Sequence, residues 1–282
     1  MPELPEVETI VRGLARRVVG DTIASVWIGS RPQPLKSPAA LIASTLEGKR
    51  IDGVRRAGKH IVFELSVARA TRRPSRRRPS PASVSAQWVV HLGMTGRMVV
   101  CEPGAALAKH THLIASLASG RELRFIDPRM FGKLSVHTSG FDPGGVEPLE
   151  VGEEQFIALF RGRKTPIKSA LLNQKLVRGV GNIYADESLF RAGIRPRRRA
   201  ASIPRLQLAK LYNSVREVLR EAIALGGSSI SDYVDADGEE GFFQLQHRVY
   251  GRESEPCLTC GTPIRRIVLV GRSSHYCKNC QK

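Results

Sequence analysis

No stretch of this sequence is apolar for long enough to cross a bilayer. No secretory leader opens it either, because MPELPEVETI carries acids where such a signal carries a basic and then an apolar region. A membrane span and export are therefore disfavoured, and the expected location is the cytoplasm. Cysteine is scarce along most of the chain: of five, four fall within the last 26 residues, which excludes a general disulfide framework. Acidic charge is in deficit, with 26 Asp and Glu against 44 Lys and Arg, a net charge of +18 and a pI near 10.4. Such a surplus points to a polyanionic partner, since neutralising phosphates releases counterions. A membrane surface is the weaker alternative, because the charge is spread along the chain and not gathered on one amphipathic helix. No internal repeat signals a solenoid.

A length of 282 residues favours two domains. Val7, Ile10, Val11, Leu14 and Val18 recur at steps of three and four, which predicts a helix beginning almost at residue 2. Pro5 suits its first turn, and Glu3, Glu6 and Glu8 sit at the positive end of its dipole. From about Thr22 to His137 the pattern changes to short β-prone runs (TIASVWIG, RIDGVRR, KHIVFEL, QWVVHL, THLIASL, ELRFI) separated by Gly, Pro and Ser, as in an antiparallel sandwich or barrel. The Pro-, Ser- and Arg-rich stretch at about 68–86 reads as a basic insertion, either a solvated loop or an added polyanion-contacting arm. SGFDPGGVEPLEVG reads as a linker. Beyond it, Ile167, Ala170, Leu171, Leu172 and Leu176 predict one helix, and Ile183, Tyr184, Leu189 and Phe190 a second after the Gly179–Asn182 turn. Another helix is expected from Arg205 to about Leu225, stopping at Gly226-Gly227.

Cys257-x2-Cys260 and Cys277-x2-Cys280, sixteen residues apart, have the spacing of two knuckles that close on a tetrahedral zinc. Four thiolates leave no open position, so one structural Zn2+ is expected, stapling a segment too small to fold alone. The residues between the pairs predict a β-hairpin with Gly271 and Arg272 at its tip. Cys101 has no partner at metal spacing and reads as a small buried residue.

Pro2 alone reads as a helix-starting residue. With Met1 removed it exposes a secondary amine, which can attack a sugar C1′ and form an iminium. The positive helix end disfavours protonation of that amine. Glu3 stands beside it as a proton-transfer group, and Glu6 lies one helical turn on. Here the chain resembles the formamidopyrimidine-DNA glycosylases of base excision repair, a branch related to endonuclease VIII. The resemblance covers nearly the whole chain. It rests on Pro2-Glu3-Leu4-Pro5-Glu6-Val7-Glu8, His91-Leu92-Gly93-Met94-Thr95-Gly96, Asp127-Pro128-Arg129 with Phe131-Gly132, Gly179-Val180-Gly181-Asn182-Ile183-Tyr184-Ala185, and the four-cysteine finger.

The resemblance implies an α+β fold. An N-terminal two-layered antiparallel β-sandwich flanked by helices would span 1–140, a linker 141–152, a helix-two-turn-helix domain 153–236 and a β-hairpin zinc finger 237–282, with DNA gripped between domains. It implies Pro2 as nucleophile, Glu3 as acid/base, and Lys59 and Arg272 as backbone-gripping residues of the catalytic set. His91, Lys168 and Asn182 would be further DNA contacts. Glu6 and Glu187 would be supporting carboxylates, Glu187 beneath the N-terminus. Met94, Arg129 and Phe131 would fill the space left by an everted base, although taken singly Met94 and Phe131 read as core residues. The partner would be double-stranded DNA holding oxidised purines or abasic sites, met on the nucleoid by a monomer. Gly227–Tyr233 would be a loop over the flipped base. Met130 and Asn173 depart from residues common in the family, a second basic residue and an aspartate. Two rival readings are an endonuclease VIII-like enzyme acting on oxidised pyrimidines and a zinc-dependent DNA-binding protein without chemistry.

Overall fold

The apolar stripe of the first helix, α1 (Leu4–Val18), buries Val7, Ile10, Val11, Leu14 and Val18. The structure, a computed structural model, describes residues 1–67, 85–229 and 241–282. After α1 come β1 (Ile23–Ile28), α2 (Ala39–Leu46), β2 (Lys49–Ala57), β3 (His60–Val67), β4 (Ala86–His91), β5 (Arg97–Cys101), β6 (Thr111–Leu117), β7 (Glu122–Ile126) and β8 (Lys133–His137). The strands form two four-stranded antiparallel sheets, ordered β1-β6-β7-β5 and β2-β3-β4-β8. Alternation along β3 explains the layering: Ile61, Phe63 and Leu65 enter the main core, whereas Val62 faces a small cluster with Ala57 and Val89. The main core takes Ile23, Leu113, Leu123 and Phe125 from one sheet, Phe63, Trp88, Val90 and Leu134 from the other, and the α1 stripe. The two inner faces therefore share one interior, as in a sandwich.

Three elements of this region lie outside the runs read from the sequence. α2 is a helix that buries only Ile42 and Leu46, one turn apart, too short an apolar pattern to stand out among the strands. β5 pairs with β7, and β8 with β4. The Arg-rich insertion lies outside the described residues over 68–84, apart from its end at Ser85, whose N–H bonds the Leu65 carbonyl at 2.8 Å.

The chain folds as two units, one of Met1–Pro2 and Glu6–Asp142, the other of Glu3–Pro5 and the described residues from Pro143 on. Residues expected as linker are tied into the second unit: Val151 is buried, Val146 N–H bonds the Leu176 carbonyl at 2.9 Å, and Glu147 pairs with Arg178 at 3.3 Å. That unit holds α3 (Glu153–Ala158), α4 (Ile167–Leu172), α5 (Asn182–Arg191) and α6 (Arg205–Ala224) around Phe156, Phe160, Leu171, Tyr184, Leu189, Leu211 and Leu219. The C-terminal hairpin, β9 (Arg265–Leu269) with β10 (Arg272–Tyr276), belongs to the same unit. The loop after α5 anchors it: Arg195 N–H bonds the Lys282 carbonyl at 3.0 Å, and Lys282 N–H bonds that of Gly193 at 2.9 Å.

His247, between α6 and the hairpin, is packed edge-on against Phe243 and Tyr250, with Nε2 3.2 Å from Ser228 Oγ. Burial, aided by the charge of His275, lowers its pKa from 6.5 to about 4. Between these values the unfolded chain binds a proton that the folded chain does not, so this stabilisation is full above pH 6.5 and lost as pH falls through about 4. His247→Gln is expected to shrink the fall in melting temperature between pH 7 and pH 4.5, measured by thermal scans in both proteins; an unchanged fall would contradict the assignment.

Candidate active site

In the helical unit, the glycine turn before α5 is shaped to receive the residues after Pro2. Leu4 N–H bonds the Gly179 carbonyl at 3.0 Å. Gly179 has a φ of +87°, and a Cβ there would lie 2.8 Å from the Leu4 side chain. At Gly181 a Cβ would overlap the Glu3 carboxyl group itself. The buried Glu3 therefore lies flat on Gly181, where its Oε1 accepts the Ile183 N–H of the first turn of α5 at 3.2 Å. An anion is favoured at that helix start. Gln174 braces the turn, its Nε2 donating to the Val180 carbonyl at 2.8 Å and its Oε1 accepting the Gly179 N–H at 2.9 Å. Asn173 still makes a local turn without an aspartate, its Oδ1 accepting the Lys175 N–H at 3.0 Å.

One turn of α5 carries two residues that hold β10. Asn182 Nδ2 donates to Ser273 Oγ at 3.2 Å. Four residues on, Asp186 Oδ2 accepts the His275 N–H at 2.9 Å, and its Oδ1 lies 2.7 Å from Lys168 Nζ. Lys168 Nζ also donates to the Ser273 carbonyl at 2.6 Å. Lys168 is thus fully buried. Desolvation pulls its pKa down, and the neighbouring Asp186 opposes that. This corrects the expectation of a DNA contact, because its ammonium is committed to a buried ion pair and a backbone carbonyl. Arg272, the residue before Ser273, is exposed at the start of β10. Glu187 is buried as expected, but it does not support the N-terminus. Its carboxylate accepts the N–H groups of Arg248, Val249 and Tyr250 at 2.8–2.9 Å and so fixes the approach to the hairpin. Burial still raises its pKa, partly offset by those bonds. Of the loop expected over a base, Gly227–Ser229 are described: Ser229 N–H bonds Gln244 Oε1 at 2.9 Å. Residues 230–233 lie outside the described residues.

In the sandwich unit, the expected void fillers occupy two mutually braced loops. Asp127, fully buried, takes the Thr95 hydroxyl at 2.6 Å on Oδ1 and the Gly132 N–H at 2.7 Å on Oδ2. Gly93, at φ +64°, is pressed so closely on the Phe131–Gly132 backbone that a Cβ would overlap it. The loops so joined present Met94 at 44% and Phe131 at 52% exposure, with the Arg129 guanidinium 4.9 Å above the Phe131 ring. Exposed apolar side chains on braced loops are not core residues. Asp127 and Thr95 were given no role from sequence, where only the neighbouring residue types carried a signal.

Lys59 follows Gly58, which turns at φ +60° between β2 and β3, and is buried where an isolated turn lysine would be solvated. His91, at the end of β4, faces His60 across the strand pair with ring centroids 4.9 Å apart. Its Nδ1 accepts the Gly93 N–H at 3.1 Å, which puts the proton of the neutral ring on Nε2. Burial, then His60, Lys133 and Lys59, lower its pKa to about 4, so it is a neutral donor near pH 7. Pro2 is half-buried just before α1, and Glu6 is buried within it.

The four cysteines of the finger converge, their sulfurs all within 4.8 Å of one another. The Cys260–Cys277 and Cys257–Cys280 pairs stand 3.5 and 3.9 Å apart, close to the ~3.8 Å edge of a tetrahedron with Zn–S of about 2.3 Å. A small cluster of Phe190, Val249 and Ile264 packs beside Cys257 and Cys277, too little to hold the hairpin without a metal.

Family models match along the chain: the formamidopyrimidine-DNA glycosylase N-terminal domain over residues 1–134, the H2TH domain over 145–234, and the zinc finger found in FPG and IleRS over 254–282. The chain belongs to the formamidopyrimidine-DNA glycosylase family. It is 45% identical over 286 residues, all of both chains, to the formamidopyrimidine-DNA glycosylase of Solibacter usitatus, and 40% identical over 301 residues, again all of both, to that of Ruegeria pomeroyi. Among solved structures it resembles the MutM (Fpg) protein of Thermus thermophilus, with a TM-score of 0.84 and 39% identity, covering 99% of this chain and 98% of that one. It also resembles Lactococcus lactis Fpg in complex with DNA containing an abasic site, with a TM-score of 0.86 and 33% identity over 99% of each chain. The α+β architecture of this glycosylase-family chain, a β domain followed by an H2TH domain and a finger hairpin, is the family's. Its four cysteines hold one structural zinc. No helix among the described residues is long and apolar enough to cross a membrane.

The seat of Glu3 gives a test within this family fold. Gly181→Ala must displace the Glu3 carboxyl group, and a shift of about 1 Å at a reacting group costs on the order of 100-fold in rate. Excision from a lesion-bearing duplex is expected to fall by about that factor, with zinc content and affinity for undamaged duplex retained; excision at the parental rate would show that the seat does not position Glu3.

Proposed function

We propose that the protein is a base excision repair glycosylase and lyase that removes oxidised purines, 8-oxoguanine and formamidopyrimidines, from duplex DNA and then cuts the strand. The observation that carries this reading is the fixing of Glu3 and Leu4 on the Gly179–Ile183 turn. A nucleophile at residue 2 requires a proton-transfer group held in place beside it, and the fixed Glu3 carboxyl group meets that need. Removal of Met1 makes the Pro2 nitrogen a secondary amine. Its lone pair attacks C1′ of the everted nucleotide, the glycosidic bond breaks, and the base leaves with the electron pair of that bond and takes up the proton that the Pro2 nitrogen sheds. Glu3 donates a proton to the ring oxygen O4′, which opens the sugar and leaves an iminium between Pro2 and C1′. Loss of a C2′ proton expels the 3′ phosphate (β-elimination), and a second elimination expels the 5′ phosphate (δ-elimination). Water then hydrolyses the remaining iminium, which frees Pro2 and releases the sugar remnant as an unsaturated aldehyde, leaving a one-nucleotide gap flanked by phosphates.

The other residues divide by chemistry. Arg272, Asn182, Lys59 and the Nε2–H of neutral His91 bind phosphates. Phe131 wedges into the stack, Met94 fills the lesion-side space, and Arg129 pairs with the orphaned base, roles suited to exposed side chains on braced loops. Zinc, when bound, holds the hairpin so that Arg272 is presented. Lys168 and Glu187 act indirectly, through β10 and the 248–250 segment. The enzyme works as a monomer.

This set favours oxidised purines over the pyrimidine-directed alternative. Incubation with duplexes carrying 8-oxoguanine opposite cytosine or thymine glycol, in the presence of borohydride, is expected to trap a covalent adduct chiefly on the purine. Pro2→Gly is expected to reduce base excision and strand cleavage far more than DNA affinity. An adduct chiefly on thymine glycol would overturn the substrate assignment, and equal loss of all three properties in Pro2→Gly would remove it as nucleophile.

A further inference from the structure

Within the helical unit, the candidate site draws on Asn182 and Arg272 for phosphates, while much of that unit's positive charge lies elsewhere. Two segments run side by side: Ile167 N–H bonds the Arg198 carbonyl at 2.8 Å, Ala200 N–H that of Thr165 at 3.0 Å, and Ala201 N–H that of Arg163 at 2.9 Å. This pairing, with an antiparallel bridge between Pro166 and Arg199, sets Arg163 and Lys164 beside Arg197 and Arg199, all four exposed. Arg197 also lines a cavity of about 520 Å³ together with Arg265, Arg266, Tyr276 and Lys278 of the finger. Glu253 also lines this cavity and stands 3.9 Å from Arg266. Lys164, Arg197, Arg199, Arg265 and Lys278 pair with no carboxylate among the described residues. Backbone pairing thus gathers exposed like charges on one face, a concentration of positive potential that attracts a polyanion.

The place of this face relative to Arg272 follows from the hairpin. Arg265 pairs with Tyr276, four residues along β10 from Arg272, which is about 13 Å at strand rise. Duplex DNA advances about 3.4 Å per base pair, so this separation corresponds to about four base pairs.

We propose that this face is a second phosphate-binding surface, which grips the backbone of duplex DNA about four or more base pairs from the lesion. The proposal rests on the DNA-binding reading above. The contacts are phosphate contacts and carry no sequence information. They add affinity for long DNA and leave the reaction itself untouched. Arg198 is not part of the grip: its guanidinium is held by Gln207 Oε1 at 2.7 Å and the Ser202 carbonyl at 3.0 Å.

The test compares the zinc-loaded full chain with the variant Lys164→Gln/Arg197→Gln/Arg199→Gln. Binding is measured against salt on duplexes with a central stable abasic analogue and either three or twenty base pairs on each side, the short one closed as a hairpin. Each phosphate contact contributes about 0.9 to the slope of log affinity against log salt. The variant is expected to lose up to about 2.7 of that slope on the long duplex and none on the short one. Arg197→Lys/Arg199→Lys keeps the charges and should keep the slope. Equal slopes for variant and parent on the long duplex would overturn the proposal, as would equal losses on both duplexes or loss in the lysine variant. Excision of a lesion from the short hairpin, measured on the parent, tests the catalytic reading separately, because it does not involve this face.

Discussion

A carboxylate lying flat on a glycine is the contact on which the proposed chemistry of this chain depends. Glu3 reaches the first turn of α5 because Gly181 has no side chain, and Leu4 seats beside Gly179 for the same reason. Residues 2 and 3 would otherwise be an ordinary chain start, where fraying is the rule. Bonded to the turn and to α5, Glu3 and Leu4 become a fixed point, so that a proton donor is held at a set place next in sequence to the proposed nucleophile. The motifs that look unrelated in the sequence, the acid-rich opening and the glycine-rich turn some 180 residues later, are two halves of one contact.

The same helix ties down the other end of the unit. Asp186 is buried between Lys168 and His275, and Asn182 bonds Ser273, so α4, α5 and β10 are fastened around the residue next to Arg272. Burying an ion pair confers little net stability, but removing one partner strands the other and costs about 3–5 kcal/mol. Its effect here is to fix register: the exposed arginine at the start of β10 stands at a set position relative to α5. Zinc holds the hairpin together, and the buried pair holds it to the helices. In the sandwich unit Asp127 plays the corresponding part, bonding two loops so that Met94, Arg129 and Phe131 stay in solvent.

Much of this was legible in the sequence where periodicity or spacing was strong. The α1 and α6 stripes, six of the strands and the cysteine knuckles each carry a repeating pattern that local physics can read. α2, β5 and β8 were not, since a short helix with two buried residues and two five-residue strands leave hardly any period. Site residues divide in the same way. Glu3, Asn182 and Arg272 stood out by their motifs, but the partners of Lys168 and Glu187 depend on which backbone groups tertiary packing brings near, and no local pattern encodes that. Met94 and Phe131 show the reverse: composition alone would bury them, yet Gly93 and Asp127 hold their loops outward.

The central claim is that the amine at residue 2, and no lysine, forms the bond to the sugar. Peptide mass mapping of the borohydride-reduced complex tests it most directly, because Lys59 offers a competing amine in the same catalytic set. The account predicts the sugar remnant on the peptide that begins at Pro2, with Met1 absent. A remnant on a lysine-bearing peptide, or on none, would contradict it.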